Sequence, residues 1–334
     1  MRRRVQLHTF QRLRRLAAAL CVICAVGAAG PAAAEFPERP IRVVSPFAPG
    51  NTLDVPLLEL NEFMRRKTGQ QVLIEHKPGA AAMIAAQAVA NAPGDGYAML
   101  LGPMGVFVIN PHTFSKLSYS PDESFKPVTN FMGAPLLLVV NSELGVDSLQ
   151  ELVAYAKKNP GQPAYGSFGA GNSSHFAGAL FNHRAGIDML HVPFNGTPPL
   201  VTALVGGQVM AAFMPYIAAR PFIESGKIKA LANTADARSP QLPDVPTFRE
   251  LGYPDLEIQM WTGLFVPAAT PDAVVQRLNA LITEALATPA MRERVLPNDL
   301  YPKPLTPEQF KAFIAADSAK WREAVRLTGF KAQE

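Results

Sequence analysis

Cysteine is nearly absent from this chain. Its 334 residues hold two, Cys21 and Cys24, both inside an apolar run near the N-terminus. Their C-x-x-C spacing is that of a redox pair, but two small residues in a hydrophobic segment are the simpler reading. Neither follows the Leu-Ala-Gly pattern of a lipoprotein signal. The rest of the chain therefore has no disulfide and no thiol nucleophile, and must be held by its core. About 300 residues suffice for that and commonly form more than one domain. A basic surface is missing too. Residues 1–34 carry six arginines and no acid, so removing them leaves 25 Lys+Arg against 27 Asp+Glu. No basic stripe with interleaved aromatics remains, and nucleic-acid binding is not expected. His76, His112, His175, His183 and His191 show no metal spacing such as H-E-x-x-H.

What is present begins with an export signal. Met1–Arg15 is basic, Leu16–Gly30 is apolar, and Ala32-Ala33-Ala34 offers small residues for cleavage before Glu35. The apolar run is short for a permanent anchor. Arg14-Arg15 lacks the flanks of a twin-arginine signal, so export from the cytoplasm by the general secretory route is expected.

Strand-like and helix-like segments alternate from Ile41 on. Ile41–Ser45, Val72–Glu75 and Ala98–Leu101 read as strands, with helices at Leu53–Lys67 (stopped by Gly69) and Ala80–Ala90. A second set comes after them: strands at Leu136–Val140, Tyr165–Phe168, Met189–Val192, Ala211–Met214, Ala230–Asn233 and Ile258–Val266. Helices are expected at Leu149–Lys158, with Ser148 and Glu151 placed for a capping box, and at Pro199–Val205, Pro221–Ser225, Pro271–Ala287 and Pro307–Leu327. The repeated βαβ pattern predicts α/β architecture with two lobes, each a mainly parallel sheet flanked by helices. The apolar strands near 136 and 262 are natural crossings. They predict one lobe from residues 35–135 plus 260–334 and another from 136–259, with 1–34 as signal peptide.

Two segments share a layout of strand, Gly/Pro turn and helix start: Ile41 to Thr52, and Ala164 to His175. Each offers free N–H groups at a helix N-terminus, where an anion is favoured. Gly50 and Gly171 let backbone approach a ligand or simply make turns. Asn51, Thr52, Ser173 and Ser174 can donate hydrogen bonds or cap helices. Asp54 would repel a carboxylate, so a local capping role weighs slightly more than contact. His175 fits ligand bonding or capping equally, and Thr197 after Gly196 lines a cleft or caps its helix. Phe47, like Tyr165 and Phe168, suits core and pocket alike.

Several stretches in order, Pro37 to Gly50, Glu75 to Ala80, Pro93 to Tyr97, Tyr165-Gly166-Ser167 with Gly169 and Ser174-His175, His191 to Phe194 with Gly196, and Leu242 to Thr247, resemble the Bug family. These are the periplasmic receptors of tripartite tricarboxylate transporters. The resemblance covers nearly all of the chain beyond the leader. It implies a type II periplasmic-binding-protein fold without enzymatic activity or cofactor. It also implies a small organic carboxylate held between the lobes by the two loops, partly through ordered water, and the transporter's membrane components as partners. A monomer is expected. The candidate ligand set is Phe47, Pro49, Gly50, Asn51, Thr52 and Asp54 from the first loop, and Gly102-Pro103 after the third strand. From the second loop come Ser167, Gly169, Gly171, Asn172, Ser173, Ser174 and His175, joined by Gly196 and Thr197. The chain departs from the family at Gly50-Asn51, where Gly-Gly is usual, at Pro56-Leu57 and in the alanines after Gly79.

The competing class is a secreted α/β enzyme acting on a carboxylated metabolite. Ser167 has Tyr165, not glycine, two residues before it, unlike a nucleophile elbow. Gly169-Ala170-Gly171 with Ser174 imitates a dinucleotide fingerprint but lacks its third glycine.

Overall fold

The computed structural model describes residues 36–330, so the expected signal peptide and its cleavage point lie outside the described residues. Contacts divide the chain into two units, Met1–Glu38 and Arg39–Glu334. Only Phe36, Pro37 and Glu38 of the first are described. Among the described residues no helix is long and apolar enough to cross a membrane.

Two sheets organise the second unit. One has strand order β11-β4-β10-β3-β1-β2, built from β1 (Ile41–Ser45), β2 (Val72–His76), β3 (Ala98–Pro103), β4 (Phe125–Pro135), β10 (Gln259–Pro267) and the two-residue β11 (Tyr301–Pro302). The other has order β7-β6-β8-β5-β9, from β5 (Leu137–Asn141), β6 (Ala164–Ser167), β7 (Leu190–Pro193), β8 (Ala211–Met214) and β9 (Ile228–Asn233). The expected α/β class with two helix-flanked sheets stands, but the sheets are mixed and not mainly parallel. In the first, β1 is parallel to β2 and β3, while β10 runs antiparallel to both β3 and β4. In the second, β6 is parallel to β7 and β8, while β5 is antiparallel to β8 and β9. The reason is the route of the chain. β4 leads out of the first sheet directly into β5, and β10 brings the chain back. A departing and a returning strand laid side by side must be antiparallel.

The helices arise from local signals. α1 (Asp54–Thr68) starts with an acid, ends on Arg65, Arg66 and Lys67, and stops at Gly69 with φ 74°, all favourable to the helix dipole and to a left-handed cap. α2 (Met83–Ala90) is shorter than expected, because Ala80, Ala81 and Ala82 all take positive φ before it. α3 (Leu149–Lys158) is capped by the Ser148 hydroxyl on the Glu151 N–H, but the Glu151 carboxylate accepts from Asp147 N, not from Ser148 N, so the expected box is displaced by one residue. α4 (Ser173–Ala185) and α5 (Thr197–Val205) come after β6 and β7, and α6 (Tyr216–Glu224) after β8. α7 (Asp272–Leu286) and α8 (Pro289–Val295) precede α9 (Pro307–Thr328), which opens with a full capping box between Thr306 and Gln309.

The core is anchored where β5 runs Leu137, Leu138, Val139, Val140, none with any exposed surface. Each such burial contributes about 1.5–3 kcal/mol. Apolar packing is continuous from Val44 and Leu100 of the first sheet to Leu138 and Phe213 of the second, with Phe176 of α4 against Trp321 of α9 along the way.

Candidate ligand site at two helix-opening loops

The first loop leaves β1 at Ser45, whose buried hydroxyl accepts from Phe47 N at 3.4 Å. Gly50 has φ 81° and open space where a Cβ would lie, so the left-handed backbone, not crowding, is what requires glycine here. Asp54, at the start of α1, folds back over the turn. One of its oxygens accepts from Gly50 N at 2.7 Å and the other from Asn51 Nδ2 at 2.7 Å. Asn51 also donates to Ala48 O at 2.9 Å and accepts from Leu53 N at 2.9 Å. Both side chains are thus committed to the loop itself. His76, opposite Ser45 on the neighbouring strand, closes the arrangement. Its Nδ1 lies 2.9 Å from Phe47 O and its Nε2 3.8 Å from Asp54. A carbonyl only accepts, so the His76 proton sits on Nδ1.

The second loop leaves β6 at Ser167, which is fully buried. Its hydroxyl donates to Gly169 O at 2.8 Å and stands 2.7 Å from His191 Nε2. With that proton spent on Gly169, the His191 Nε2–H is the donor in the second bond. Asn172 caps α4: its Oδ1 accepts from Ser174 N, His175 N and the Ser174 hydroxyl at 3.1, 3.2 and 2.8 Å. Ser174 Oγ in turn accepts from Phe168 N. Gly171 N donates to His175 Nδ1 at 3.1 Å, which places that ring's proton on Nε2. The His175 and His191 rings stack with centroids 3.8 Å apart, Tyr165 OH donates to His175 O, and Phe330 meets His175 edge-on. Burial pushes both imidazoles down to about 4, and for His191 the neighbouring His175 adds to the effect. Both are neutral near pH 7.

The N–H groups of Asn51 and Thr52 in the first loop, and of Asn172 and Ser173 in the second, have no acceptor among the described residues. The Ser173 hydroxyl likewise makes no internal hydrogen bond, although the residue is 5% exposed. These groups sit at the N-termini of α1 and α4, where partial positive charge gathers. Pro49 is exposed and Phe47 half-buried on the first turn. No hydrogen bond or ion pair among the described residues joins one loop to the other.

Other candidates have structural work of their own. Gly102 is packed tightly: a Cβ there would stand 2.6 Å from the Phe107 ring and 2.7 Å from that of Phe265. Pro103 pairs with Thr262 across β3 and β10. Gly196 takes φ 97° and Thr197 is the first residue of α5. His76 and His191 were absent from the candidate set, because only strand register carries them to the loops. Asn51 did carry a local signal: its side-chain oxygen accepts from Leu53 N, two residues on, as in an Asx turn. Among the described residues no group of three or more His, Cys, Asp or Glu is placed to hold a metal ion.

Comparison with known proteins places the chain in a family. The model of the family described as "Tripartite tricarboxylate transporter family receptor" (TctC) matches residues 58–330. Protein BugT of Bordetella pertussis is 34% identical over 294 residues, spanning 88% of this chain and 90% of that protein. Among solved structures, Rpa4515 of R. palustris with adipate superposes with a TM-score of 0.82 at 28% identity, covering 90% of this chain and 100% of that one. MatC of Rhodopseudomonas palustris with bound malate gives a TM-score of 0.76 at 33% identity, covering 87% and 100%. The chain belongs to the TctC family of tripartite tricarboxylate transporter receptors, the Bug proteins among them.

Proposed function

We propose that this chain is a periplasmic receptor that captures a small organic carboxylate between its two sheets and presents it to the membrane components of a tripartite tricarboxylate transporter. The observation that carries this reading is the pair of loops with uncommitted N–H groups at the N-termini of α1 and α4. Charge-assisted bonds from such groups to a carboxylate are stronger than neutral ones. The acids bound by MatC and Rpa4515, malate and adipate, are of the class that two opposed donor clusters would suit. In this reading residues 35–135 plus 260–334 make one lobe and 136–259 the other. Closure brings Ser173 onto an acid first met by Thr52 and the Asn51 N–H. Gly50, Asn51 and Asp54 shape the first loop, as Ser167, Gly169, Gly171, Asn172, Ser174 and His175 shape the second. Export through the N-terminal signal and action as a monomer complete the proposal.

The Ser167–His191 pair has the distance of a nucleophile and its base. Ser167, however, has no exposed surface and its proton is held by Gly169 O, so the pair supports a structural role and a receptor without turnover. Titration calorimetry with malate and adipate tests the reading. The expected result is saturable binding of an acid with a raised melting temperature, and recovery of that acid unchanged. Its chemical conversion would sink the receptor, and flat titrations with both acids would remove them as its class of ligand.

A further inference from the structure

A cavity of about 240 Å³ opens on the face of the first sheet beneath α9, and no residue of either loop lines it. β4 and β1 are separated there by β10 and β3. The cavity owes its chemistry to a bulge. Along β4 and β10, Met132 faces Thr262 but Asn130 faces Gly263, so Phe131 is left over. One extra residue reverses the alternation of side chains. Asn130 and Gly133, three apart, therefore share the face that carries Trp261. Gly133 keeps the space open: a Cβ there would lie 3.4 Å from Lys303 Cγ and 3.6 Å from Gln259 Cδ, contact without collision.

The walls are fixed before any guest arrives. Thr129 Oγ1 both donates to Leu305 O and accepts from Leu305 N, at 2.9 and 3.1 Å, and Asn279 Nδ2 donates to Leu305 O at 2.8 Å. Trp261 spends its N–H on Asp317 at 2.7 Å, which leaves its ring as apolar wall. The Phe313 ring stands edge-on to it at 5.8 Å. Polar capacity remains unspent. Asn130 is 5% exposed, yet its Oδ1 accepts from no described residue. Its carboxamide can turn end for end, so that either oxygen or nitrogen meets a guest. The exposed Lys303 adds a cation at the rim, beside the Gln259 amide.

We propose that this cavity is a second small-molecule site, selective for a single-ring aromatic carboxylate. The ring lies in the Trp261–Phe313 corner and the carboxylate takes hydrogen bonds from Lys303 and the two carboxamides. The volume is below the roughly 300–1,000 Å³ of sites for drug-sized ligands, which limits the guest to one ring.

The chain has two tryptophans, Trp261 and Trp321, so its indole N–H groups give two resonances in a ¹⁵N-labelled sample, and Trp321→Phe tells them apart. Benzoate titrated into the full chain should move the Trp261 signal saturably and leave Trp321 in place. Gly133→Leu, which fills the cavity, should abolish the shift. Lys303→Glu, a change at an exposed position, should weaken binding about tenfold and guards against a misfolded Gly133 variant. An unmoved Trp261 signal at millimolar benzoate overturns the proposal. So does a shift that survives both substitutions, or one lost on Ser173→Ala, which would put benzoate at the loops instead.

Discussion

The two helix-opening loops are built to one plan from opposite materials. In each, a strand ends in a glycine turn, a helix begins, and a histidine on the adjacent parallel strand reaches across, His76 from β2 and His191 from β7. The first loop is closed by a carboxylate, that of Asp54, whose side chain is 15% exposed and whose two oxygens accept from Gly50 N and Asn51 Nδ2. The second is closed by buried serine hydroxyls and two stacked, half-buried neutral imidazoles. Orphan donors at a helix end can therefore be organised by an anion or by neutral groups at similar depth. A half-buried carboxylate is tolerated where both of its oxygens accept hydrogen bonds. The second loop offers its imidazoles no such partner for a charge, and an unpaired ion there is costly.

The sharpest way to break the comparison is through packing. Gly178 of α4 faces the ring of Tyr165, and a Cβ there would stand 2.0 Å from it. Gly178→Ala should displace Tyr165 from His175 and cost about 3 kcal/mol in denaturant unfolding. Gly50→Ala meets only open space and should cost about 1 kcal/mol, the strain of a left-handed backbone. Equal effects would show that the loops do not differ in packing.

The second test is pH. His175 and His191 titrate near 4 in the folded chain, against about 6.5 when unfolded. Below pH 6.5 the unfolded chain takes up protons that the folded one refuses, so stability falls as pH drops towards 4, with a slope approaching two protons. Replacing His191 by Gln should flatten that slope by one. A pH-independent stability across this window contradicts the neutral, buried second loop.

The smallest expected effect on the fold is that of Ser173→Ala. Its hydroxyl has no internal partner, so unliganded stability should stay within about 0.5 kcal/mol. Carboxylate affinity should drop about tenfold, the worth of one hydrogen bond to a charged group. Calorimetry on the variant checks both, and an unchanged affinity removes Ser173 from the binding surface.

Much of this was readable in the residues. Gly69 marked the end of α1, Ser148 the start of α3, and the two loops stood out by their shared layout. What could not be read depends on pairing between distant segments. The direction of β10 comes from the chain's return to its first sheet, which no local pattern encodes. The bulge at Phe131 lies within a long, largely buried strand, where apolar alternation is lost. His175 and His191 stack only because β7 sets Tyr165 opposite His191. Asn51 looked like a side chain offered to a ligand, and the structure spends it on Ala48, Leu53 and Asp54.

The unbroken apolar contact from Val44 through Phe176 and Trp321 to Phe213 bears on how the molecule comes apart. Halves joined through a shared stretch of interior cannot melt in sequence without wetting that stretch midway, even though the second sheet also packs a cluster of its own around Leu137, Val139 and Leu204. Heating should give one calorimetric transition with matching van't Hoff and calorimetric enthalpies, so a lesion in either sheet would be felt by both.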